Sequence, residues 1–188
     1  MQQINENLIV LSPGDPLQEV ASDCLKIYLS GSLDVSGSGI PWQQKFINGL
    51  SKMTVPHPEN PEIPDYSMFK FAVINPLSPS NGEPTLDNPE YVQKVQWSLQ
   101  CIGESDVMFC NFLRRSKLPS AINDFLVWSQ SGKVVVRIPG DSVFFPTVKI
   151  LSDTFGIPMV GESGSVLQVM DAIFSGIPKF AELKQYGL

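Results

Sequence analysis

Short apolar runs alternate with amphipathic stretches about five times from residue 25 onward. The apolar runs at 25–31, 69–76, 105–112 and 133–139 are typical of buried strands, and a shorter run lies at 156–160. Strands that alternate with helices predict an α/β fold, because each parallel strand needs a crossover to reach the next one. We therefore expect a parallel sheet of about five strands with helices on both faces.

Two of the intervening helices have clear signals. After Pro41, the apolar residues Trp42, Phe46 and Leu50 recur every four residues, which places them on one helical stripe. A second helix is expected to begin at 87–89, "DNP", with Asp87 or Asn88 as its cap. Its predicted buried stripe consists of Val92, Val95, Leu99 and Ile102.

The chain of 188 residues is long enough for one domain with an ample core. We predict a single domain over 25–188. Residues 1–24 then form an N-terminal extension, in which "NLIVL" would add an edge strand and "SPGDP" a turn.

The charge balance argues against a nucleic-acid partner. The formal net charge is −6, and the longest basic cluster is Arg114-Arg115, whereas proteins that bind phosphate backbones have a basic face. The N-terminus has neither a basic region nor a long apolar stretch. We expect a cytoplasmic protein with no membrane partner.

Cysteine and histidine usage excludes several kinds of site. The three cysteines are odd in number and lack CxxC spacing, so we expect buried thiols rather than disulfides or a thiolate metal centre. His57 is the only histidine and lies in a Pro-rich insert at 55–65, where we read it as a loop residue without a catalytic role. We expect neither a metal nor a cofactor.

Ligands of open α/β sheets bind at the carboxyl ends of the strands. This rule points to Ser30-Gly31-Ser32, Asn75, Asn111 and the start of the helix that holds Asp124. The Ser/Gly loop could hold a phosphate or a sugar hydroxyl, or it could be an ordinary turn. The two asparagines could contact a ligand or cap the next loop. Trp42 and Trp97 could pack between helices or stack on a base.

The stretch 120–136, "SAINDFLVWSQSGKVVV", predicts a helix that ends at Ser131-Gly132 and leads into a buried strand. Helical geometry places Asp124 away from Phe125, on a side that is only partly polar. Asp124 could face a pocket, where desolvation would raise its pKa, or it could be a simple solvated or capping aspartate. The opposite, buried face is predicted to consist of Ile122, Phe125, Leu126 and Ser129, and the side of Asp124 also holds Ser120, Val127 and Trp128.

Taken in order, five motifs resemble the nucleoside 2-deoxyribosyltransferase-like family, particularly its bacterial and phage branch. They are "IYLSGSLD…PWQQKF", "VINP", "DNPEYVQKVQWSLQCIGESDVMFCNF", "LPSAINDFLVWSQSGKVVV" and "FGIPMV". The resemblance runs from about residue 25 to 174. It implies a flavodoxin-like, Rossmann-like three-layer sandwich, a dimer or larger homo-oligomer with sites near the subunit interface, and a nucleoside or nucleotide as the small-molecule partner.

The resemblance also implies a chemistry. Family members cleave or transfer the N-glycosidic bond of 2-deoxynucleosides or their monophosphates, and a Glu attacks the anomeric carbon in a covalent double displacement. In this chain Asp124 occupies that position with a side chain one methylene shorter. Asp106 is read as a structural loop-former. Two positions differ from the family pattern: Ser98 stands where an acid is expected, and Leu118, flanked by Ser116 and Ser120, stands where a hydroxyl or an acid is expected. The substrate-binding positions implied by the resemblance or by the strand-end rule are Tyr28, Ser30, Gly31, Ser32, Trp42, Asn75, Ser98, Asn111 and Ser120.

Three functions are compatible with these residues. The fold alone does not decide among them, because function depends on the site. The first is an enzyme that transfers or hydrolyses at Asp124. The second is a catalytically weakened relative that binds a nucleotide or a nucleotide derivative through Ser30, Ser32 and Asn111. The third is an interaction subunit with a vestigial pocket.

Overall fold

A computed structural model gives the fold. It describes residues 1–32, 40–56, 65–77, 84–114 and 119–183, without the side chains of residues 119, 120, 182 and 183. Of the residues singled out above, His57, Ser116, Leu118 and the side chain of Ser120 lie outside this description.

The described residues form an α/β fold, as the alternating pattern predicts, with seven strands in one mostly parallel sheet and six α-helices, consistent with a flavodoxin-like fold. The strand order is β1-β2-β4-β3-β5-β6-β7. The strands are β1 Gln2–Asn5, β2 Leu8–Leu11, β3 Cys24–Gly31, β4 Lys70–Ile74, β5 Val107–Asn111, β6 Val134–Arg137 and β7 Met159–Val160. The helices are α1 Trp42–Met53, α2 Pro89–Glu104, α3 Pro119–Trp128, α4 Phe145–Phe155, α5 Val166–Gly176 and α6 Pro178–Leu183.

The first residues of the chain contribute two strands to the sheet. The strand predicted in "NLIVL" is β2, but it is not at the edge of the sheet as expected, because β1 lies there. Strand β2 runs parallel to β4, from the pair Leu8 and Phe71 to the pair Leu11 and Ile74. Strand β1 pairs antiparallel with β2, so β1 lies outside it. Its residues are mostly exposed and polar, which suits an edge position and gives no apolar signal in the sequence.

The chain divides into two compact units. The first consists of residues 1–28 and 51–106, and the second consists of residues 29–50 and 107–188. The first unit contains helix α2 together with β1, β2, β4 and most of β3. Phe71, Ile74 and Cys101 are among its fully buried side chains.

Helix α2 starts as expected but buries a different face. Asn88 caps it, since its Oδ1 accepts hydrogen bonds from the N–H groups of Glu90 and Tyr91 at 3.1 and 3.3 Å. The predicted stripe is wrong at two positions, because Val95 and Leu99 are 38% and 54% exposed. The buried part of the helix is at Cys101 and Ile102. The spacing of apolar residues predicted an apolar stripe on α2, but it did not predict which side of the helix is buried.

The second unit holds β5, β6 and β7 as parallel strands, with Asn111 at the end of β5 directly opposite Arg137 at the end of β6. Fully buried phenylalanines, among them Phe109 and Phe125, fill its core. Helix α5 is capped by Ser165, which forms a capping box with Gln168.

The end of α3 agrees with the prediction for 120–136. Ser131 Oγ donates to the carbonyl of Trp128, and Gly132 adopts a positive φ of 71°, the left-handed conformation that ends many helices. Strand β6 follows directly. The predicted buried face is wrong for Leu126, which is 45% exposed. Its other three members are buried, as predicted.

Cys24, Cys101 and Cys110 are buried free thiols, as the sequence predicts. No helix in the described part of the chain is long and apolar enough to cross a bilayer.

Candidate functional site

A hydrogen bond between two polar side chains in the second unit joins the end of β3 to α3. Ser30 Oγ donates a hydrogen bond of 2.7 Å to Asp124 Oδ2. Ser30 is 2% exposed, whereas Asp124 is half-buried. No described residue donates a hydrogen bond to the other carboxylate oxygen, Oδ1. One oxygen of Asp124 is therefore held in place, and the other accepts no hydrogen bond from the described residues.

Burial raises the pKa of Asp124 above its ordinary value, which is one of the two alternatives that the sequence left open, and the hydrogen bond from Ser30 acts in the opposite direction. A half-buried carboxylate has lost part of its hydration, which strengthens its interaction with a developing positive charge. The arrangement thus suits a nucleophile that attacks an electron-poor carbon.

Cys110 lies close to this pair. Burial raises the pKa of its thiol, and the charge of Asp124 raises it further, while a hydrogen bond with the Ser30 hydroxyl lowers it. Since Cys110 is fully buried, it remains a neutral thiol and does not compete as a nucleophile.

Contacts with backbone carbonyl groups bring four of the predicted binding residues together at the carboxyl ends of β3 and β5. The N–H of Ser32 donates to the carbonyl of Asn111 at 2.9 Å, and Trp42 Nε1 donates to the carbonyl of Ser32 at 2.9 Å. A Cβ on Gly31 would lie 2.3 Å from the oxygen of Asn111. The sheet edge is therefore tightly packed at this point.

The side chain of Asn111 points away from Asp124. Its Oδ1 accepts a hydrogen bond of 2.8 Å from Nε of Arg137, whose guanidinium lies 5.7 Å from the ring centre of Phe109. Successive residues of a strand face opposite sides of the sheet. Phe109 and Asn111 thus share one face of β5, and Cys110, which interacts with Asp124 and Ser30, lies on the other.

Trp42 packs rather than stacks on an open surface. It is 7% exposed, and its ring meets Phe109 edge-on at 5.7 Å. The sequence left two roles open for Trp42, packing between helices or stacking on a base, and the structure agrees with packing.

Three further predicted binding residues belong to the first unit. Tyr28 is buried in β3, and Ser98 is half-buried on α2. Asn75 Oδ1 accepts a hydrogen bond from the N–H of Leu77, the capping role considered above. Asp106 has the structural role expected, because its Oδ2 accepts a hydrogen bond from the N–H of Lys26. All of the proposed binding roles stay predictions.

Two residues near these contacts were missed by the sequence analysis. Arg137 is the charged last residue of the strand "VVVR", and the strand-end rule applied to every strand would have found it. Cys110 gave no signal, since a cysteine in an apolar strand reads as packing. Within the described ranges there is no group of three or more His, Cys, Asp or Glu side chains placed to hold a metal ion.

The parallel sheet with polar residues at the carboxyl ends of its strands defines an α/β protein of the kind whose small-molecule sites occur at that edge. A family model described as nucleoside 2-deoxyribosyltransferase like matches residues 24–142, which include both Ser30 and Asp124. The match covers more than half of the chain, and the chain belongs to this family. A comparison with curated proteins gave no match.

Proposed function

We propose that the protein cleaves or transfers the N-glycosidic bond of a 2-deoxynucleoside or its monophosphate, with Asp124 as the nucleophile. The observation that carries the proposal is the half-buried Asp124 carboxylate held by Ser30 at 2.7 Å, inside the segment that matches the family. Both residues come from positions that the strand-end rule selects for a ligand site.

The reaction would proceed in two displacements. An oxygen of Asp124 forms a bond to the anomeric carbon while the bond to the base nitrogen breaks and its electron pair leaves with the base, which takes up a proton. In the second step water or another base attacks the same carbon and the ester bond to Asp124 breaks. The transition states carry positive charge on the sugar, so the nearby carboxylate stabilises them.

The side chain of Asp124 is short, and its position is therefore critical. A nucleophile misplaced by about 1 Å can lose two orders of magnitude in rate. Ser30 fixes one oxygen from a strand end rather than from a loop, which limits the motion of the carboxylate. This support is what allows an aspartate to replace a longer glutamate in the proposal.

A substrate panel tests the proposal. The protein is incubated with 2-deoxynucleosides and their 5′-monophosphates, with and without an added free base, and products are separated by chromatography. We expect free base to appear, or a new nucleoside when an acceptor base is present. Intact-protein mass spectrometry of the quenched reaction should show one deoxyribosyl adduct, located on the peptide that contains Asp124.

The same panel can contradict the proposal. If no substrate yields free base or exchanged base, while a nucleotide raises the melting temperature, the protein is the nucleotide-binding relative and not the enzyme. The matched control is Asp153→Asn, an exposed carboxylate on α4 that pairs with Lys149 and should leave product formation unchanged.

We further propose that the protein forms a homodimer or a larger homo-oligomer through the outer side of α3. Leu126 and Val127 are 45% and 72% exposed, and they lie within three residues of Asp124 on the same helix. A second copy that covers them would remove apolar surface from water and place the subunit boundary beside the proposed site.

Sedimentation measures this assembly. The protein should sediment as a dimer or larger species at micromolar concentration, and Val127→Glu should shift it towards the monomer, because a charge would be buried in the contact. Val143→Glu, at a position 82% exposed outside the helices, is the matched control and should not change the mass. A wild-type protein that stays monomeric would contradict the proposal.

A further inference from the structure

A cavity of about 230 Å³ lies in the second unit on the face of β5 that carries Phe109. Trp42 and Phe46 from α1 pack against the Phe109 ring with centroid distances of 5.7 Å each. Val169 from α5 also lines the cavity. Most of its wall is therefore aromatic or aliphatic, which suits a flat apolar group.

Arg137 lines the same cavity and supplies its charge. Its Nε donates to Asn111 Oδ1 and its Nη1 donates to the carbonyl of Gly164, both at 2.8 Å. These two bonds hold the guanidinium in one orientation. No carboxylate in the described ranges forms an ion pair with Arg137, and its Nη2 has no hydrogen-bond partner among them. A half-buried positive charge without a counter-charge is costly.

The polar groups around Arg137 have too few acceptors for their donors. The fully buried Nδ2 of Asn111 has no acceptor among the described residues. Within the described ranges, two acceptors, Asn111 Oδ1 and the carbonyl of Gly164, serve the N–H groups of this pair. Buried donors without acceptors are rare and destabilising. The cluster would gain stability from an added group that carries acceptors and negative charge.

Two more features make the cavity electropositive. Lys45 of α1 lies at its lining, is exposed and forms no ion pair with a described residue. The N-cap of α5, Ser165, and its first residue, Val166, also line it, and a helix carries partial positive charge at its N-terminal end. This local balance is the opposite of that of the whole chain, whose net charge is −6.

The cavity is separate from the Ser30 and Asp124 pair, because Phe109 and Cys110 are consecutive residues of β5 and face opposite sides of it. We propose that the cavity binds a small organic anion: a single aromatic or heteroaromatic ring whose carboxylate or phosphate pairs with Arg137. An apolar cavity of roughly 150 Å³ is known to accept benzene. The cavity here has that space and additional room for one charged group.

Nuclear magnetic resonance titrations test the proposal, with the indole N–H of Trp42 as the reporter inside the lining. Benzoate and phenyl phosphate are the anionic probes, benzamide is the neutral probe of the same shape, and inorganic phosphate lacks the ring. At least one anionic probe should shift the Trp42 signal with a dissociation constant of about 1 mM or below. The tighter of the two identifies the preferred anionic group. Benzamide and inorganic phosphate should bind at least about tenfold more weakly.

Variants on separate elements localise the binding. Val169→Phe fills the cavity and should weaken the preferred probe at least about tenfold, whereas Lys45→Gln removes one charge at the lining and should weaken it about threefold. Because Lys45 is exposed, its variant remains folded even if the Val169 variant does not. Lys149→Gln, on α4, and Asp124→Asn, on the other face of β5, should leave binding unchanged.

Several outcomes would overturn the proposal. They are no saturable shift with either anionic probe, equal affinity for benzamide and benzoate, and binding that survives both Val169→Phe and Lys45→Gln. Binding lost in Asp124→Asn would place the probe at the other site and also overturn it. Absence of base release in the substrate panel would leave this proposal untouched, because neither Ser30 nor Asp124 belongs to the cavity lining.

Discussion

Asp124→Asn is expected to reduce the rate of base release by about 1,000-fold or more with the best substrate of the panel. The amide has nearly the shape of the carboxylate and its oxygen can still accept the hydrogen bond from Ser30, so the site stays packed. It cannot form the ester with the sugar or stabilise positive charge on it. Losses of this size follow removal of a nucleophile in other enzymes.

The same substitution should make the protein more stable at neutral pH. The folded-state pKa of Asp124 is raised above its ordinary value of 3.8 by burial, so the folded protein binds the proton more tightly than the unfolded chain does. Its contribution to stability is fully present below about pH 3.8 and is lost as the pH rises through the folded-state value. At pH 7 the wild type carries the cost of the buried charge, and the asparagine variant does not.

Thermal unfolding at pH 7 and near pH 4 measures this effect. The melting temperature of Asp124→Asn should exceed that of the wild type at pH 7, and the difference should shrink near pH 4. Asp153→Asn, whose carboxylate is exposed, should show neither the loss of rate nor the gain in stability. If Asp124→Asn retains base release, Asp124 is not the nucleophile. If Asp124→Asn is less stable than the wild type at pH 7, the buried charge of Asp124 does not destabilise the fold.

Gly31→Ala is expected to lower the free energy of unfolding by about 2–4 kcal/mol. The added Cβ would lie 2.3 Å from the carbonyl oxygen of Asn111 and 2.9 Å from the Trp42 ring. The φ of Gly31, 155°, is also unfavourable for residues with a side chain. Relief is difficult, because the neighbouring N–H of Ser32 donates to that same oxygen at 2.9 Å and holds the backbones together.

Gly132→Ala provides the comparison in denaturant unfolding. Gly132 also has a positive φ, 71°, but a Cβ there would meet no atom within 4 Å. Its variant should lose about 1–2 kcal/mol from backbone strain alone. The excess loss in Gly31→Ala then measures the collision with Asn111. Equal losses in the two variants would show that the edge of the sheet yields more easily than the distances imply.

The sequence predicted most elements because strands and helices differ in their apolar spacing. It was less informative where an element lacks such spacing, as in β1, where Gln2, Gln3 and Asn5 are polar and pairing with β2 decides the structure. Helix α2 shows a second kind of failure. Its spacing was read correctly, but Val95 and Leu99 are exposed because burial depends on which neighbours the helix packs against.

The candidate site was predictable only in part. The strand-end rule found Ser30, Asn111 and the helix of Asp124, whereas the neighbours of Asp124 left open whether its carboxylate is desolvated, with a raised pKa, or solvated. The partner of Asn111 could not be read locally, since the pairing of β5 with β6 places Arg137 beside it. Long-range register of this kind is set by the whole sheet and leaves no signal in a short stretch.

The three buried thiols have a practical consequence for following how the molecule opens. Cys24 and Cys101 belong to the first unit and Cys110 to the second, and all three are shielded from solvent. A thiol-specific alkylating reagent reacts only with a sulfur that has reached water. The rate of modification at each position, read by mass spectrometry, therefore reports the free energy of the local opening that exposes it. The native cysteines provide labelling sites in both units, so no cysteine needs to be introduced.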